Sequence, residues 1–350
     1  MLMDRRQLAL VSLAFRPKKR KEILSQQGLD QALDEFADDI NDILKKEEDV
    51  ISDSLKVLQG DPEIRWVWFW EAEYPERLRC IPDTPLLLFY KGNLRCLSCS
   101  KSLAVVGSRR ATSYGRGVTE DLVSHLKGLD VLIVSGGAIG IDASAHRTAL
   151  RVGLPTAVVL GAGLGRLYPA SNVRIFEEVL GEGGILISEF LPAQRASKYT
   201  FPIRNRIISG LSDVVVVVEA GQRSGALITA RYGAEQGRDV YAVPGAITWP
   251  MSCGANRLIR DGAMVFVSVE EFVSEMGWVE RTEQNRERRS LNMSEMERCI
   301  VDFLVDRGKI GIEELMLGIK GVPYQEVLAY ISLLEIKGIV RRDEGDIELV

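Results

Sequence analysis

The stretch 103–140, LAVVGSRRATSYGRGVTEDLVSHLKGLDVLIVSGGAIG, decides the fold class. Two short and wholly apolar runs, Leu103–Val106 and Val131–Val134, each lead into a glycine turn. A helical pattern at Tyr114–Lys127 separates them. Apolar runs without polar alternation are typical of strands that are buried on both faces. The stretch therefore predicts a strand–helix–strand unit with two parallel strands.

The same alternation continues through the middle of the chain. Further apolar runs lie at Thr156–Leu160, Ile185–Ile187, Val214–Val218, Val240–Val243 and Met264–Val267. The helical patterns between them lie at Ile141–Val152, Val173–Leu180, Ile203–Leu211, Ala226–Gln236 and Ala255–Arg260. Strict alternation of strand and helix is typical of a parallel sheet with helices on both faces. We predict an α/β fold with a Rossmann-like, doubly wound parallel sheet over residues 73–279.

Two smaller domains are expected on either side of this sheet. Residues 1–72 carry helical patterns and no series of strands, which predicts a small helical domain of the SAM-like or helix-hairpin-helix-like kind. Residues 280–290 are nearly all polar or charged and predict a linker. Over 291–350, a capping box formed by Ser294 and Glu297 begins a series of three helices, and two strand-like runs end the chain. This order predicts a C-terminal winged-helix domain.

Composition excludes several classes of protein. The longest apolar runs have five or six residues, against the ~20 that a membrane span requires, so we expect no membrane-bound segment. Five cysteines in 350 residues do not indicate a disulfide framework, and no signal-peptide pattern is present, so we expect a cytoplasmic protein. Cys96 and Cys99 form a C-x-x-C, but no second pair completes a zinc site, so we predict no metal and no cofactor.

The charge is unevenly distributed along the chain. The net charge is −5, yet two windows contain four cations each and no acidic residue. The first is Lys101–Thr119, with Lys101, Arg109, Arg110 and Arg116, and the second is Phe190–Ser212, with Arg195, Lys198, Arg204 and Arg206. Clustered cations on an acidic protein predict a local binding surface for an anion.

Glycine turns follow four of the predicted strands, at 107–109, 136–140, 161–165 and 244–245. The carboxyl ends of parallel strands meet at one edge of a sheet, where helix N-termini favour phosphate. The first strand lacks a complete G-x-G-x-x-G, and no Walker lysine is present. For each turn alone, close backbone packing is an equally good explanation. With Arg109 placed in the first turn, the set as a whole favours a ligand.

The segment 198–206, KYTFPIRNR, places two aromatic residues among three cations just ahead of a helix. Aromatic faces stack on bases while cations follow the backbone, which is the chemistry of single-strand binding. The alternative, that Phe201 packs in the core and the arginines form a solvated face, stays open at this point.

The chain offers little material for acid–base catalysis. It has two histidines, and His146 follows Asp142 by four residues; we interpret His146 as structural because no nucleophile is identifiable beside it. Glu189 and Glu219 each follow a predicted strand, but nothing in the sequence places them together. We therefore predict no catalytic residue.

Several motifs, in order along the chain, resemble the DprA/Smf family of bacterial DNA-processing proteins. They include AVVGSR at 104–109, SGGAIGID at 135–142 and FPIRNRII at 201–208. The resemblance implies a protein that binds incoming single-stranded DNA, protects it and loads the recombinase RecA during natural transformation or DNA processing, without catalysis. It also implies a homodimer formed through the Rossmann-like domain.

The resemblance assigns phosphate contacts to the Gly107-Ser108-Arg109 turn and to Lys198, and base stacking to Phe201. With the second glycine turn and the remainder of the basic segment, the predicted nucleic-acid-binding residues are Gly107, Ser108, Arg109, Gly136, Gly137, Lys198, Phe201, Arg204, Asn205 and Arg206.

Two other functions compete with this prediction. A nucleoside-monophosphate phosphoribohydrolase-like enzyme would share the phosphate-facing sheet edge, but its signature P-G-G-x-G-T-x-x-E is absent. A transcription regulator would act through the winged helix, but residues 291–350 contain seven cations against twelve acidic residues, which opposes approach to DNA.

Overall fold

The computed structural model describes residues 3–278, 294–307, 309–319, 322–336, 340–343 and 346–349. The chain divides into two compact units, Met1–Trp278 and Val279–Val350. The predicted linker at 280–290 lies outside the described residues. No helix in these ranges is long and apolar enough to cross a membrane.

Helices begin the first unit. They are α1 (Arg5–Leu13), α2 (Pro17–Leu24), α3 (Leu29–Glu35), α4 (Ala37–Lys46) and α5 (Glu48–Gly60). A capping box starts α1, because the Asp4 carboxylate accepts from the backbone N–H of Gln7 while the Gln7 side chain accepts from that of Asp4. The apolar faces of these helices share one core with the sheet that follows, so the domain boundary at residue 72 stays a prediction.

The described part of the first unit contains a nine-stranded sheet in the order β1-β2-β6-β5-β4-β3-β7-β8-β9. Its strands are β1 (Arg65–Trp68), β2 (Leu87–Gly92), β3 (Lys101–Val106), β4 (Val131–Ser135), β5 (Thr156–Val159), β6 (Ile185–Ser188), β7 (Val214–Val217), β8 (Asp239–Ala242) and β9 (Met264–Val265). The helices among them are α6 (Glu76–Arg79), α7 (Ser113–His125), α8 (Ile141–Val152), α9 (Val173–Gly181), α10 (Thr200–Gly210), α11 (Ala226–Glu235), α12 (Cys253–Arg260) and α13 (Val269–Glu275).

Strands β3 to β9 pair in parallel, which confirms the predicted α/β fold with a mostly parallel central sheet. The sheet also has an antiparallel edge that was not predicted, since β2 pairs with β6 and β1 with β2. β1 falls within the range predicted to be helical. Its sequence, RWVW, suits a strand, but four residues are too few to predict a strand from the sequence pattern alone. The strand is defined by its pairing with β2.

The strand order reverses between β3 and β7. From β3, the chain proceeds through β4, β5 and β6 on one side, and through β7, β8 and β9 on the other. Such a reversal opens a crevice at the carboxyl ends of the two central strands, where open α/β sheets bind ligands. The topology therefore places the turn that follows Val106 beside the turn that follows β7.

A buried group of charges ties α10 to the end of β6 and to the first helices. Arg206, only 1% exposed, donates from Nη1 and Nη2 to the two Glu189 carboxylate oxygens at 2.8 and 2.7 Å. The Asp83 carboxylate lies 3.6 Å from Arg206 Nε and 2.7 Å from Arg20 Nη1 of α2. Because Arg206, Glu189 and Arg20 are removed from water, each depends on its partner for stability, whereas Asp83 is partly exposed.

The second unit is a small α/β unit with its own core. It contains α14 (Glu295–Arg307), β10 (Ile310–Gly311), α15 (Ile312–Gly318), α16 (Tyr324–Ile336), β11 (Val340–Asp343) and β12 (Asp346–Leu349). The predicted capping box is present, since Ser294 N donates to Glu297 Oε2 and Glu297 N donates to Ser294 Oγ. The strands form an antiparallel sheet in the order β10-β12-β11, and the assignment as a winged helix stays a prediction.

The buried Glu189–Arg206 pair yields a stability prediction. Glu189→Gln should lower the free energy of unfolding by about 3–5 kcal/mol, because the Arg206 guanidinium would stay buried without its one buried, hydrogen-bonded counter-charge. As a matched control, Glu178→Gln removes the exposed carboxylate that pairs with Arg174 on α9. That change should lower the free energy of unfolding by less than about 1 kcal/mol. Denaturant unfolding measures both, and equal losses would contradict the prediction.

Candidate nucleic-acid interface

The turns after β3 and β4 are in direct contact at the carboxyl edge of the sheet. The backbone N–H of Ile141 donates to Ser108 O at 3.2 Å. Gly140 has a φ of +90°, and a Cβ added there would collide with Ser108 O. Only glycine permits both this conformation and this approach. The structure therefore brings the Gly107–Arg109 turn and the Gly136–Gly140 turn together.

Glu219, buried just after β7, orders the segment that follows Arg109. Its carboxylate accepts hydrogen bonds from the backbone N–H and the hydroxyl of Thr112. Thr112 in turn caps α7 by accepting from Gly115 N at 3.2 Å. Glu219 thus has a structural contact here, whereas Glu189 binds Arg206, and the two carboxylates serve different elements.

Arg204 joins the turns after β4 and β5 from beneath. The side chain is 4% exposed, and its Nη1 donates to Gly136 O at 2.7 Å and to Val159 O. Burial lowers the pKa of Arg204 to about 10, so the guanidinium keeps its charge at neutral pH. Asp142, also buried, has a pKa raised by burial and held back chiefly by Arg204. The two opposite charges stabilise each other below the surface of the site.

Arg109 and Phe201 lie together at the surface. The guanidinium carbon of the exposed Arg109 lies 4.9 Å from the centre of the half-buried Phe201 ring, a cation–π contact. Phe201 also packs against the turn after β5, where a Cβ added at Gly161 would lie 2.7 Å from its Cδ1. The sequence placed these two residues in separate windows, and the fold makes them neighbours.

A cavity of about 670 Å³ opens at the switch point of the sheet. Its lining includes Ser108, Arg109, Phe201 and Asn205, together with Arg223 from the turn after β7. Sequence reasoning missed Arg223. The signal that could have found it was topological, because the turns after the first and fifth parallel strands, β3 and β7, meet at the switch point.

The remaining predicted residues lie in different places. Lys198 is exposed, with its ammonium group 5.0 Å from the Tyr199 ring, and belongs to neither this cavity nor a smaller one beside Phe201. Gly136 and Gly137 are buried beneath the surface. Arg206 is buried, its charge is paired with Glu189, and it lines neither of these two cavities. Of the four cations in the second window, Arg195 and Lys198 are the exposed ones.

Few of the described residues are suited to metal binding or to thiol chemistry. Among the described residues, no group of three or more His, Cys, Asp or Glu side chains could hold a metal ion. Burial raises the pKa of Cys96 to about 12 and that of Cys99 to about 11. Both side chains therefore stay as neutral thiols at physiological pH.

His146 is a neutral, buried side chain on α8. Its Nδ1 lies 2.7 Å from Thr156 Oγ1, and that hydroxyl donates to Ile133 O at 2.9 Å. The hydroxyl proton is thus engaged, so His146 Nδ1–H is the donor to Thr156. Burial, assisted by the charge on Arg204, lowers the pKa of His146 to about 3.

The lowered pKa of His146 gives a pH-dependent stability. Below about pH 6.5, the unfolded chain binds a proton that the folded chain refuses, so stability should fall by about 1.4 kcal/mol per pH unit towards pH 3. His146→Gln should remove this slope between pH 6.5 and 5. The raised pKa of Asp142 has the opposite effect on the pH dependence of stability. That effect is the same in the unaltered protein and in His146→Gln, so it cancels when their slopes are compared. His125→Gln, at an exposed position, is the control. Equal slopes in the unaltered protein and in both variants would contradict the assignment of the pH dependence to His146.

Taken together, the fold and the site define a class: a Rossmann-like α/β protein whose carboxyl sheet edge presents cations and an aromatic ring beside an open cavity. The chain belongs to the DNA recombination-mediator protein A family, whose sequence model matches residues 65–277. The resemblance to the DprA/Smf family is thereby confirmed, and the protein is a DNA-processing protein.

Relatives support this membership over most of the chain. DNA processing protein DprA of Streptococcus pneumoniae is 44% identical over 202 residues, covering 58% of this chain and 71% of that protein. Protein Smf of Escherichia coli is 38% identical over 280 residues, covering 78% and 74%. The X-ray structure of Streptococcus pneumoniae DprA superposes with a TM-score of 0.64 at 33% identity, covering 79% of this chain and 99% of that one. A structure of Helicobacter pylori DprA, described for its single-stranded DNA binding mode, has a TM-score of 0.55 at 27% identity and covers 61% and 95%.

Proposed function

We propose that this DNA-processing protein binds single-stranded DNA along the carboxyl edge of its sheet. The observation that carries the proposal is the contact of Arg109 with Phe201 at the mouth of the 670 Å³ cavity. A cation beside a half-buried aromatic ring offers one partner for a phosphate and another for a base. The related Helicobacter pylori protein, whose structure is described for its single-stranded DNA binding mode, supports the same ligand.

Each residue of the interface has a distinct role in this proposal. Arg109 neutralises a phosphate, and the Gly107-Ser108 turn holds it in position because Ser108 Oγ accepts from the backbone N–H of Arg110. Phe201 stacks on a base. Lys198 is a second, exposed phosphate contact, and Arg223, which lines the cavity, offers a further cation to the DNA. Arg204 holds the turn of Gly136 and Gly137 by donating to Gly136 O, and Asn205 lines the same cavity.

Beyond DNA binding, family membership supports a role in protecting incoming DNA and loading RecA, in natural transformation or other DNA processing. We propose that the protein acts in this way in the cytoplasm, by binding and without catalysis. Since Glu189 and Glu219 are both held in structural contacts, no observation favours the phosphoribohydrolase alternative. A homodimer through the Rossmann-like domain is supported by β9, an edge strand whose Met264 and Val265 are exposed.

The phosphate contacts predict a specific salt dependence. Arg109→Ala and Lys198→Ala should each weaken binding of a labelled single-stranded oligonucleotide and flatten the slope of log affinity against log salt by about 0.7. Fluorescence polarization at several salt concentrations measures both quantities. Arg174→Ala, which removes an exposed cation paired with Glu178 on α9, should change neither. Unchanged slopes in the first two variants would exclude this edge as the binding surface.

The acidic second unit is proposed to be an accessory element. A chain that ends at Trp278 should stay folded and bind single-stranded DNA at least as well as the full chain, because residues 291–350 carry seven cations and twelve acidic residues. The cut must follow Trp278, whose buried ring packs 5.7 Å from Phe272. A chain ending at Met276 is the control and should be less stable. A folded Trp278-ended chain that had lost most of its affinity would place the second unit within the binding site.

A further inference from the structure

A segment of concentrated positive charge lies on the first helices, outside the interface described above. Residues 16–21, RPKKRK, contain five cations in six positions, whereas residues 1–72 as a whole contain eleven cations and fifteen acidic residues. The segment forms the start of α2. Runs of about five to eight residues that are rich in lysine and arginine are typical of surfaces that bind nucleic acids. Only those cations that the fold leaves unpaired are available for such a role.

The fold pairs two of these five cations with acidic residues and leaves three exposed. Lys19 Nζ lies 2.7 Å from Asp39 Oδ2. The buried Arg20 lies with its Nη1 2.7 Å from Asp83 Oδ1. The other three are exposed and have no ion pair within the part of the chain that the structure describes, and we call them the α2 basic surface: Arg16, Lys18 and Lys21.

The charges of the α2 basic surface repel one another in the absence of a ligand. Lys18 and Lys21 are three positions apart on α2, so their side chains are neighbours on the surface of the helix. Like charges at such a spacing destabilise a helix. The first turn of α2 contains no acidic residue that would offset them. An anion bound at this surface would remove the repulsion.

Aromatic stacking fixes the start of α2 at the carboxyl edge of the sheet. Phe15, which directly precedes Arg16, stacks on Phe190 with ring centres 5.2 Å apart and planes inclined by 8°. Phe190 follows the last residue of β6 by two positions. Because β3, β4, β5 and β6 are parallel neighbours at ~4.8 Å spacing, the ends of β3 and β6 lie on one edge, about 14 Å apart. The α2 basic surface therefore begins at the same edge as Arg109, on the side of β6.

Exposed cations continue along the segment that joins Phe190 to α10. Arg195 and Lys198 both lie on this segment, and neither has an ion pair among the described residues. The segment is held against the first helices, because Ala193 N donates to Ser54 Oγ of α5 at 3.1 Å. Cations thus follow one another from Lys198 through Arg195 towards the α2 basic surface.

A row of unpaired cations along one edge matches a ligand with regularly spaced negative charges. Proteins that bind single strands follow the backbone with a positively charged groove. We propose that the α2 basic surface, together with Arg195, binds the phosphates of a DNA strand that continues past β6 from Arg109 and Lys198. This inference rests on the proposed single-stranded DNA binding and extends it to the first helices.

Labelled oligodeoxythymidines of about four and about twenty nucleotides test the inference, because only the longer strand can occupy the interface and the α2 basic surface together. Arg16→Gln, Lys18→Gln and Lys21→Gln combined should weaken binding of the long oligonucleotide at least about tenfold and flatten its slope of log affinity against log salt by about two, at ~0.7 for each phosphate contact. Binding of the short oligonucleotide should change less than about twofold. Unchanged affinity and slope for the long oligonucleotide overturn the inference.

A matched control removes the same charge from the opposite edge of the sheet. The exposed Arg95, Lys127 and Arg151 precede β3, β4 and β5, at the amino ends of these strands. Their combined replacement by glutamine should leave both affinities unchanged. An equal loss in this control would assign the effect to net charge and overturn the inference.

Arg109→Ala separates this inference from the proposed function. It should weaken binding of both oligonucleotides, whereas the combined α2 variant should affect only the long one. If Arg109→Ala weakens binding and the combined α2 variant does not, the α2 basic surface is wrong and the DNA-binding edge stands. If the unaltered protein binds neither oligonucleotide, the proposed function itself fails. Should the combined variant melt early, Lys18→Gln and Lys21→Gln taken singly should each flatten the slope by about 0.7, and unchanged slopes in both would overturn the inference.

Discussion

The site depends on one buried cation. The Arg204 guanidinium donates to the carbonyls of Gly136 and Val159, and so joins the turns after β4 and β5 to the start of α10. A charge removed from water persists only where acceptors and an opposite charge surround it, and the two carbonyls and Asp142 meet that need. Because Phe201 lies on the same helix three residues earlier, the position of Arg204 sets where that ring can lie.

Close backbone approach is the second requirement. The turns that carry Arg109 and the 136–140 glycines meet only because Gly140 has no side chain, and Phe201 rests on Gly161 for the same reason. Glu219 then holds the segment after Arg109 through Thr112. The buried polar groups thus hold the turns in alignment. Arg109, Lys198 and the Phe201 ring remain available to a ligand. Turns that are already held by hydrogen bonds need less ordering on binding, which reduces the entropy lost.

Cations that lie in one window of the sequence have different roles in the fold. Arg195, Lys198, Arg204 and Arg206 form one acid-free window, yet Arg204 and Arg206 are buried and the other two are exposed. The counter-ion of Arg206 is Glu189, which precedes the window and becomes its neighbour only when α10 packs at the end of β6. A window of sequence counts local charge, whereas burial and ion pairing depend on how the segments pack in three dimensions.

Local patterns determined the parts of this protein that short-range physics controls. Apolar runs, helical periods and the Ser294–Glu297 capping box predicted the parallel strands, their helices and the start of α14, because each depends on neighbours within a few residues. The motifs and their order along the chain identified the family. Only the tertiary structure decided the strand order, the antiparallel edge of β1 and β2, the cavity at the switch point and the contact of Arg109 with Phe201. Those features arise from packing between segments as distant along the chain as Leu103 and Val214, where no local period carries the information.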